Sequence, residues 1–305
     1  GRRRPRGAVL LRLQPHREPG AGAALRAELL PLRGCVGRRR RRRLLLHAGL
    51  LQPVGAVVGA LRRRRRWCVT NQKGGVGKSA LAACLAYHAF ENGNRVLLVD
   101  ADLQGSNVTA AIRMRLGSKR VGHLPELVPD KAAGGPALLV LTALDASLLL
   151  GWQDEAGKDH YRPLDAMIAE FEPQLVLLDP PGRLDDTHRA VLQASEFALL
   201  VAGPGRYDRD ALLMSADLVR SVQAEKREAH QPELGCGIVL NKYKPGKTAQ
   251  EAAAAAALAE LPILRTRVRQ RDAFLELFPE SRRGLPPRGE AGEDIATLYQ
   301  ELLSL

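Results

Sequence analysis

From Trp67 onward the apolar residues fall into short unbroken runs separated by longer mixed stretches. The runs "WCVT" (67–70), "RVLLVD" (95–100), "ALLVL" (137–141), "QLVLLD" (174–179), "FALLVA" (197–202) and "GCGIVLN" (235–241) are largely aliphatic and have no alternating polar face. Strands covered on both faces need such runs, and parallel strands are the ones so covered. The stretches between them carry helical spacing at 77–92, 105–116, 163–171, 185–195, 208–229 and 249–260. Gly93 suits the end of the first helix, and Pro163, Asp185 and Asp208 suit the starts of later ones. "EAAAAAALAE" (251–260) is strongly helix-forming, and "EDIATLYQELLSL" (293–305) reads as a closing amphipathic helix. Alternating strands and helices predict an α/β fold: a doubly wound, mostly parallel sheet flanked by helices and joined by right-handed crossovers. No internal repeat interrupts 67–305, which reads as one domain.

Residues 1–66 follow neither pattern. The chain has a net charge of +13, but it is unevenly spread. The first 66 residues hold 19 Arg against two acids, a net +17; the remainder holds 27 basic and 31 acidic residues, a net −4. The basic character therefore belongs to a leader made almost wholly of Arg, Leu, Gly, Ala, Val and Pro, with "RRRRRR" at 38–43 and "RRRRR" at 62–66. Three readings stay open for it. It is translated GC-rich upstream sequence with a wrong start, or a fragment, since the chain opens on Gly1 and its first Met is Met114. Or it is a disordered basic arm that binds nucleic acid. Or "LLLHAGLLQPVGAVVGAL" (44–61) is a membrane segment, at the short limit for spanning and flanked by arginines on both sides. Cys35, Cys68, Cys84 and Cys236 are scattered, with no CxxC pair, which fits reduced thiols in a cytosolic protein rather than a metal site.

The chemistry gathers where strands end, which is where open α/β sheets bind ligands. "KGGVGKS" (73–79) follows the first run and opens a helix. Its glycines let backbone N–H groups turn toward phosphate oxygens, and the helix N-terminus adds partial positive charge. Lys78 suits the β- and γ-phosphates and Ser79 the hydroxyl ligand of Mg²⁺. The first glycine of the usual loop pattern is replaced by Asn71 or Gln72, depending on how the loop is counted. "VLLVDADLQGSN" (96–107) ends its strand on Asp100 and Asp102, and "LVLLDPPG" (175–182) ends on Asp179. One such Asp would read as a turn former; three beside a phosphate loop suit a Mg²⁺ shell and a water-positioning role.

Together "NQKGGVGKS", "VLLVDADLQGSN", "LVLLDPPG" and "GIVLNKY" resemble the ParA/MinD family of deviant Walker A ATPases, specifically the ParA branch that partitions plasmids and chromosomes. The resemblance covers 67–305. It implies a P-loop NTPase fold, ATP and Mg²⁺ as cofactors, and slow hydrolysis stimulated by a partner and by DNA. Lys73 matches the signature lysine that crosses to the partner's phosphates in an ATP-bound sandwich dimer. Gly74, Gly75, Val76, Gly77, Lys78, Ser79 and Ala80 match the nucleotide-binding loop, and Asn241 the adenine-contacting asparagine. Asp102 matches the switch I aspartate that governs hydrolysis, Asp100 its neighbour near Mg²⁺, and Asp179 the Walker B aspartate. Pro204 and Asp208 fit the family's Pro-x-x-x-Asp motif. Two positions depart from the pattern: Leu103 stands where proline is usual, and Ala80 follows "KS" where Thr is usual.

The resemblance also implies an ATP-state homodimer, non-specific DNA binding, a centromere-binding ParB-like partner, and a cytoplasmic, nucleoid-associated place in a bacterial cell. The candidate DNA contacts are Arg265, Arg267, Arg269 and Arg271, helped by Arg282 and Arg283; alternate arginines share one face of an extended segment and can each neutralise a phosphate. The alternatives are an accessory ATPase of conjugation or mobile-element transfer, and a MinD-like membrane-associated positioning ATPase. The last needs a basic amphipathic tail, and 293–305 contains no Lys or Arg.

Overall fold

A computed structural model of the chain describes residues 8–15, 25–29, 65–102, 137–142, 152–153, 159–160, 163–183, 185–204, 206–275 and 289–305. In chain order the strands are β1 (Ala8–Pro15), β2 (Leu25–Leu29), β3 (Arg65–Thr70), β4 (Arg95–Asp100), β5 (Ala137–Thr142), β6 (Trp152–Gln153), β7 (Asp159–His160), β8 (Leu175–Asp179), β9 (Phe197–Ala202), β10 (Gly235–Tyr243) and β11 (Ile263–Arg269). The helices are α1 (Lys78–Glu91), α2 (Pro163–Phe171), α3 (Asp186–Gln193), α4 (Arg206–Glu228), α5 (Lys247–Leu258), α6 (Asp272–Leu275) and α7 (Glu290–Leu303).

The main sheet runs β11-β10-β9-β3-β8-β4-β5-β1-β2, and β6 pairs with β7 separately. Every neighbouring pair from β11 to β1 is parallel; β2 alone runs antiparallel, to β1. Each of the six sequence-read strands is present as an aliphatic run, and β4, β8 and β9 are buried on both faces. Along β4, Val96 and Leu98 pack into one core layer, with α1 and α7; Leu97 and Val99 pack into the other, with α2, α3, α4 and α5. Two helical layers on one parallel sheet make the doubly wound architecture.

Two details differ from the sequence reading, and a third adds to it. The first domain strand begins at Arg65, not Trp67, because its two arginines have partners: Arg65 Nη1 donates to the Leu303 carbonyl at the end of α7 (2.8 Å), and Arg66 Nη1 pairs with Asp165 (3.2 Å). β11 is a further strand, paired in parallel with β10, where the sequence reading placed a stretch following the last strand. Within 1–66, Ala8–Pro15 pairs with β5 and Leu25–Leu29 with Ala8–Pro15, so those two segments extend the sheet at its edge. The helix expected at 105–116, Leu103, Arg282 and Arg283 lie outside the described residues.

Candidate nucleotide site

The strand order puts the carboxyl ends of β9, β3, β8 and β4 side by side. The chain leaves β3 at Thr70, turns through 71–77 and enters α1 at Lys78. Two glycines in this turn, Gly75 (φ 78) and Gly77 (φ 102), adopt the left-handed conformation that side chains resist. Gly77 is doubly required, since a Cβ there would lie 2.3 Å from Asn241 Nδ2.

Side chains pin the loop from several directions. Asn71 is fully buried; its Nδ2 donates to the Val201 carbonyl (2.9 Å), and its Oδ1 accepts from the Lys73 N–H (2.8 Å). Gln72 N–H donates to Ser215 Oγ (2.9 Å) on α4. Asn241 Nδ2, at the end of β10, donates to the Val76 carbonyl (2.8 Å). Gly203 lets Asp208 come close; a Cβ there would sit 2.4 Å from Asp208 Oδ2.

The two loop lysines do different things. Lys78 is buried, and its Nζ donates to the Lys73 carbonyl (3.0 Å) across the loop. Burial pushes its pKa down, while Asp179 pushes it back up. Lys73 lies at the rim, where its Nζ is held by Asp208 of α4; the two side chains are 37 % and 12 % exposed. Asp208, which sequence analysis treated as part of a loop motif and a helix starter, is therefore the intrachain partner of Lys73.

Behind the loop stand the carboxylates. Asp100 and Asp179 are register partners on β4 and β8, so their side chains leave the sheet abreast. Both are buried, at 0 % and 1 % exposure. Burial pushes the Asp179 pKa up to about 8, and the Asp100 charge adds to the rise; a hydrogen bond from Ser79 and the Lys78 charge oppose it. Among the described residues, Asp179 Oδ1 is a buried side-chain oxygen with no hydrogen-bond partner. An orphaned buried carboxylate oxygen costs free energy unless a ligand completes it. Asp102 follows, half-buried, with its N–H on Asp100 Oδ1 (3.1 Å).

Ser79 is thus hydrogen-bonded to Asp179, which stands beside Asp100 and near the Lys78 charge. Among the described residues no cluster of three or more His, Cys, Asp or Glu could hold a metal alone.

The arginine candidates lie elsewhere. Arg265 and Arg269 are exposed and Arg267 half-buried on β11, while Leu264, Thr266 and Val268 are buried, so the alternation read from the sequence is present. Arg271 lies beyond the strand and is paired with Glu290 and Asp294 of α7.

Two contacts around the loop escaped the sequence reading. His188 is fully buried in α3; its Nδ1 lies 3.0 Å from the Arg183 carbonyl and its Nε2 2.6 Å from Thr70 Oγ1. It ties the loop after Asp179 to the strand that launches the phosphate loop. Burial lowers its pKa to about 4, so the ring is neutral: Nδ1–H donates to the carbonyl and Nε2 accepts from the hydroxyl. Lys242 is the second, with its Nζ on the Gly75 carbonyl (2.6 Å). His188 belongs to no short motif; Lys242 stands inside the quoted "GIVLNKY", but a lysine near a strand end carries no sign of which carbonyl it will reach.

A family model described as the CobQ/CobB/MinD/ParA nucleotide binding domain matches residues 67–282. The chromosome-partitioning ATPase Soj of Thermus thermophilus is 48 % identical over 186 residues, which cover 59 % of this chain and 70 % of that protein. The septum site-determining protein MinD of Thermotoga maritima is 29 % identical over 181 residues, 58 % of this chain and 64 % of that protein, so less than two thirds of its length is spanned. Among solved structures, the MinD cell division protein of Aquifex aeolicus superposes with a TM-score of 0.59 at 19 % identity, covering 79 % of this chain and 97 % of the other. Cobyrinic acid a,c-diamide synthase from Mycobacterium smegmatis, with bound ADP and magnesium, gives 0.55 at 19 % identity, over 79 % and 94 %. At such identities these two structures support the fold alone. The family match covers both the phosphate loop and the strand-end carboxylates, and on it the chain belongs to the CobQ/CobB/MinD/ParA family of nucleotide-binding domains.

Proposed function

We propose that this chain is an ATP-hydrolysing switch that positions DNA: two copies close over ATP, the dimer holds DNA non-specifically, and a ParB-like partner triggers hydrolysis and release. The observation that carries this reading is the rim position of Lys73. Lys78 already supplies a lysine to the loop interior. Lys73 instead lies at the surface on Asp208, where a second copy can reach it. A cation delivered from a neighbour stabilises transferring phosphoryl charge as an arginine finger does.

In this mechanism the loop N–H groups and Lys78 bind the β- and γ-phosphates. Asn241 Nδ2 is bonded to Val76, and its carbonyl oxygen suits the exocyclic amine of adenine. Ser79, Asp100 and Asp179 would hold Mg²⁺, which when bound neutralises charge between the β- and γ-phosphates. Asp102 orients the attacking water. Lys73 leaves Asp208 for the partner's nucleotide, which couples hydrolysis to dimer closure. The arginine edge of β11 is the DNA contact, and the protein acts in the cytoplasm on the nucleoid; the relative named as a chromosome-partitioning ATPase supports this placement.

A MinD-like membrane role has less support. Ile295, Leu298, Tyr299 and Leu302 of α7 are buried in the core, so that helix has no apolar face left for lipid. Among the described residues no helix is long and apolar enough to cross a membrane. The test is ATP hydrolysis by the chain with and without DNA, together with its size in ATP. The expected result is DNA-stimulated turnover by a dimer. A strict monomer in ATP sinks the sandwich model, and normal hydrolysis by Asp102→Ala sinks the switch I assignment.

A further inference from the structure

The end of β10 departs from regular strand geometry at one residue. Lys242 has φ +54, a left-handed conformation that is uncommon outside glycine and costs free energy. The register with β11 shifts at the same place, between the pairs Asn241↔Val268 and Tyr243↔Arg269, as at a β-bulge. Bulges next to active sites re-aim a side chain. Here the re-aimed side chain reaches the phosphate loop: Lys242 Nζ donates to the Gly75 carbonyl (2.6 Å), next to the Val76 carbonyl taken by Asn241 Nδ2 (2.8 Å).

The peptide group is planar and trans, so a carbonyl and the N–H across the same bond point in opposite directions. Holding the Gly75 carbonyl outward turns the Val76 N–H to the other side. The Val76 carbonyl, held by Asn241, does the same for the Gly77 N–H. Two side-chain donors from β10 thus orient two successive amides, Val76 N–H and Gly77 N–H, to the same side of the loop, the arrangement that binds phosphate.

We propose that Lys242 is a positioning residue: by anchoring the Gly75 carbonyl it preorganises the phosphate loop for the β-phosphate of the nucleotide. The left-handed backbone and the bulge persist because that geometry is what lets the side chain reach the loop. The inference rests on the nucleotide-binding reading above and adds to it a residue outside the loop that sets the loop's affinity.

The test compares binding of ADP and a non-hydrolysable ATP analogue to wild type, Lys242→Met, Lys242→Gly and Lys242→Arg, with Lys244→Met as a control; Lys244 is an exposed neighbour of equal charge. Losing one charge-assisted hydrogen bond should weaken both nucleotides by about ten-fold in Lys242→Met. Both should weaken by the same factor, because both carry the β-phosphate. Lys242→Arg should recover most of the loss and Lys244→Met should bind as wild type. Lys242→Gly separates function from folding: glycine accepts the left-handed backbone, so its melting temperature without nucleotide should not fall, while its nucleotide affinity should. Wild-type affinity in Lys242→Met and Lys242→Gly would overturn the proposal, as would an equal loss in Lys244→Met, which would make the effect one of net charge. A wild-type chain that bound neither nucleotide would overturn the functional reading itself, and this inference with it.

Discussion

Charge is handled in opposite ways at two places on this sheet. At the β11 edge the carboxylates are saturated with donors. Glu301 accepts from the backbone N–H groups of Arg265 (2.7 Å) and Thr266 (2.8 Å), and Asp294 accepts from that of Arg269 (3.0 Å). Burial works against the charge of Glu301, but a hydrogen bond from the Thr266 side chain, the two backbone bonds and the Arg265 charge win and hold its pKa below the usual range. They also cover N–H groups that an open edge strand would offer to another chain. At the β8–β4 junction the carboxylates of Asp100 and Asp179 are buried and adjacent, so burial and like charge act together on Asp179. The pKa of Asp179 rises to about 8, and one of its oxygens has no partner among the described residues. A satisfied carboxylate completes the fold, whereas an unsatisfied buried one is completed by a ligand. The first kind builds the edge; the second marks the site.

The largest expected effect tests the claim that this site is built for two copies. Lys73→Ala should still bind ATP but lose hydrolysis by about 10³-fold, the low end for a cation supplied in trans. ATP turnover beside equilibrium binding measures both, and an active variant would leave Asp208 as the sole reason for Lys73.

Next comes the unsatisfied carboxylate. Asp179→Asn should lower hydrolysis by about 100-fold, in the range for removing one electrostatic contact to the transition state. Mg²⁺-dependent nucleotide binding should weaken with it; unchanged Mg²⁺ dependence would place the cation elsewhere.

The same variant sharpens the contrast through pH. The pKa of Asp179 is raised in the folded state from 3.8 to about 8, so the folded state binds the extra proton between those values and stability falls as pH rises through them. The pKa of His188 is lowered from 6.5 to about 4, so the unfolded state binds the extra proton there and stability falls as pH drops from 6.5 toward 4. Below pH 6.5 the two slopes oppose each other; above it the His188 slope is gone and that of Asp179 remains. Without nucleotide or Mg²⁺, the wild-type melting temperature should therefore decline from pH 6.5 to 8. Asp179→Asn should be flat there and decline instead below 6.5. Parallel curves for the two proteins would mean that Asp179 is ionised and already satisfied.

The smallest effects belong to the edge. Arg265→Ala should weaken DNA binding modestly and reduce the salt slope by about one phosphate contact. Arg271→Ala should change it less, because that guanidinium is already paired with Glu290 and Asp294. Titrations on DNA at two salt concentrations distinguish them, and an equal or larger loss for Arg271 would move the contact off β11.

Much of the fold was legible because parallel strands buried on both faces announce themselves as aliphatic runs. β11 was not read as a strand because an edge strand is half exposed. Its "ILRTRVR" carries arginines at every second position, and the buried alternates Leu264, Thr266 and Val268 are too few to stand out. The start of β3 was set late because arginine seldom opens a buried strand; Arg65 does so by reaching the end of α7, 238 residues away. In the site, Lys78, Ser79, Asp100, Asp102 and Asp179 were legible because loop and strand-end chemistry is local in sequence. His188 and Lys242 were not, because their contacts lie 118 and 167 residues away in the chain.

By itself, then, the sequence determined the strand and helix alternation, the phosphate loop with its second lysine, and the acids that end two strands, since each follows from residue type and spacing over a few positions. Tertiary structure alone decided that Asp100 and Asp179 stand in register, that Asp208 holds Lys73, and that a bulge in β10 aims Lys242 at the loop. These are choices of strand order, register and backbone hand, and packing settles them only when distant segments meet.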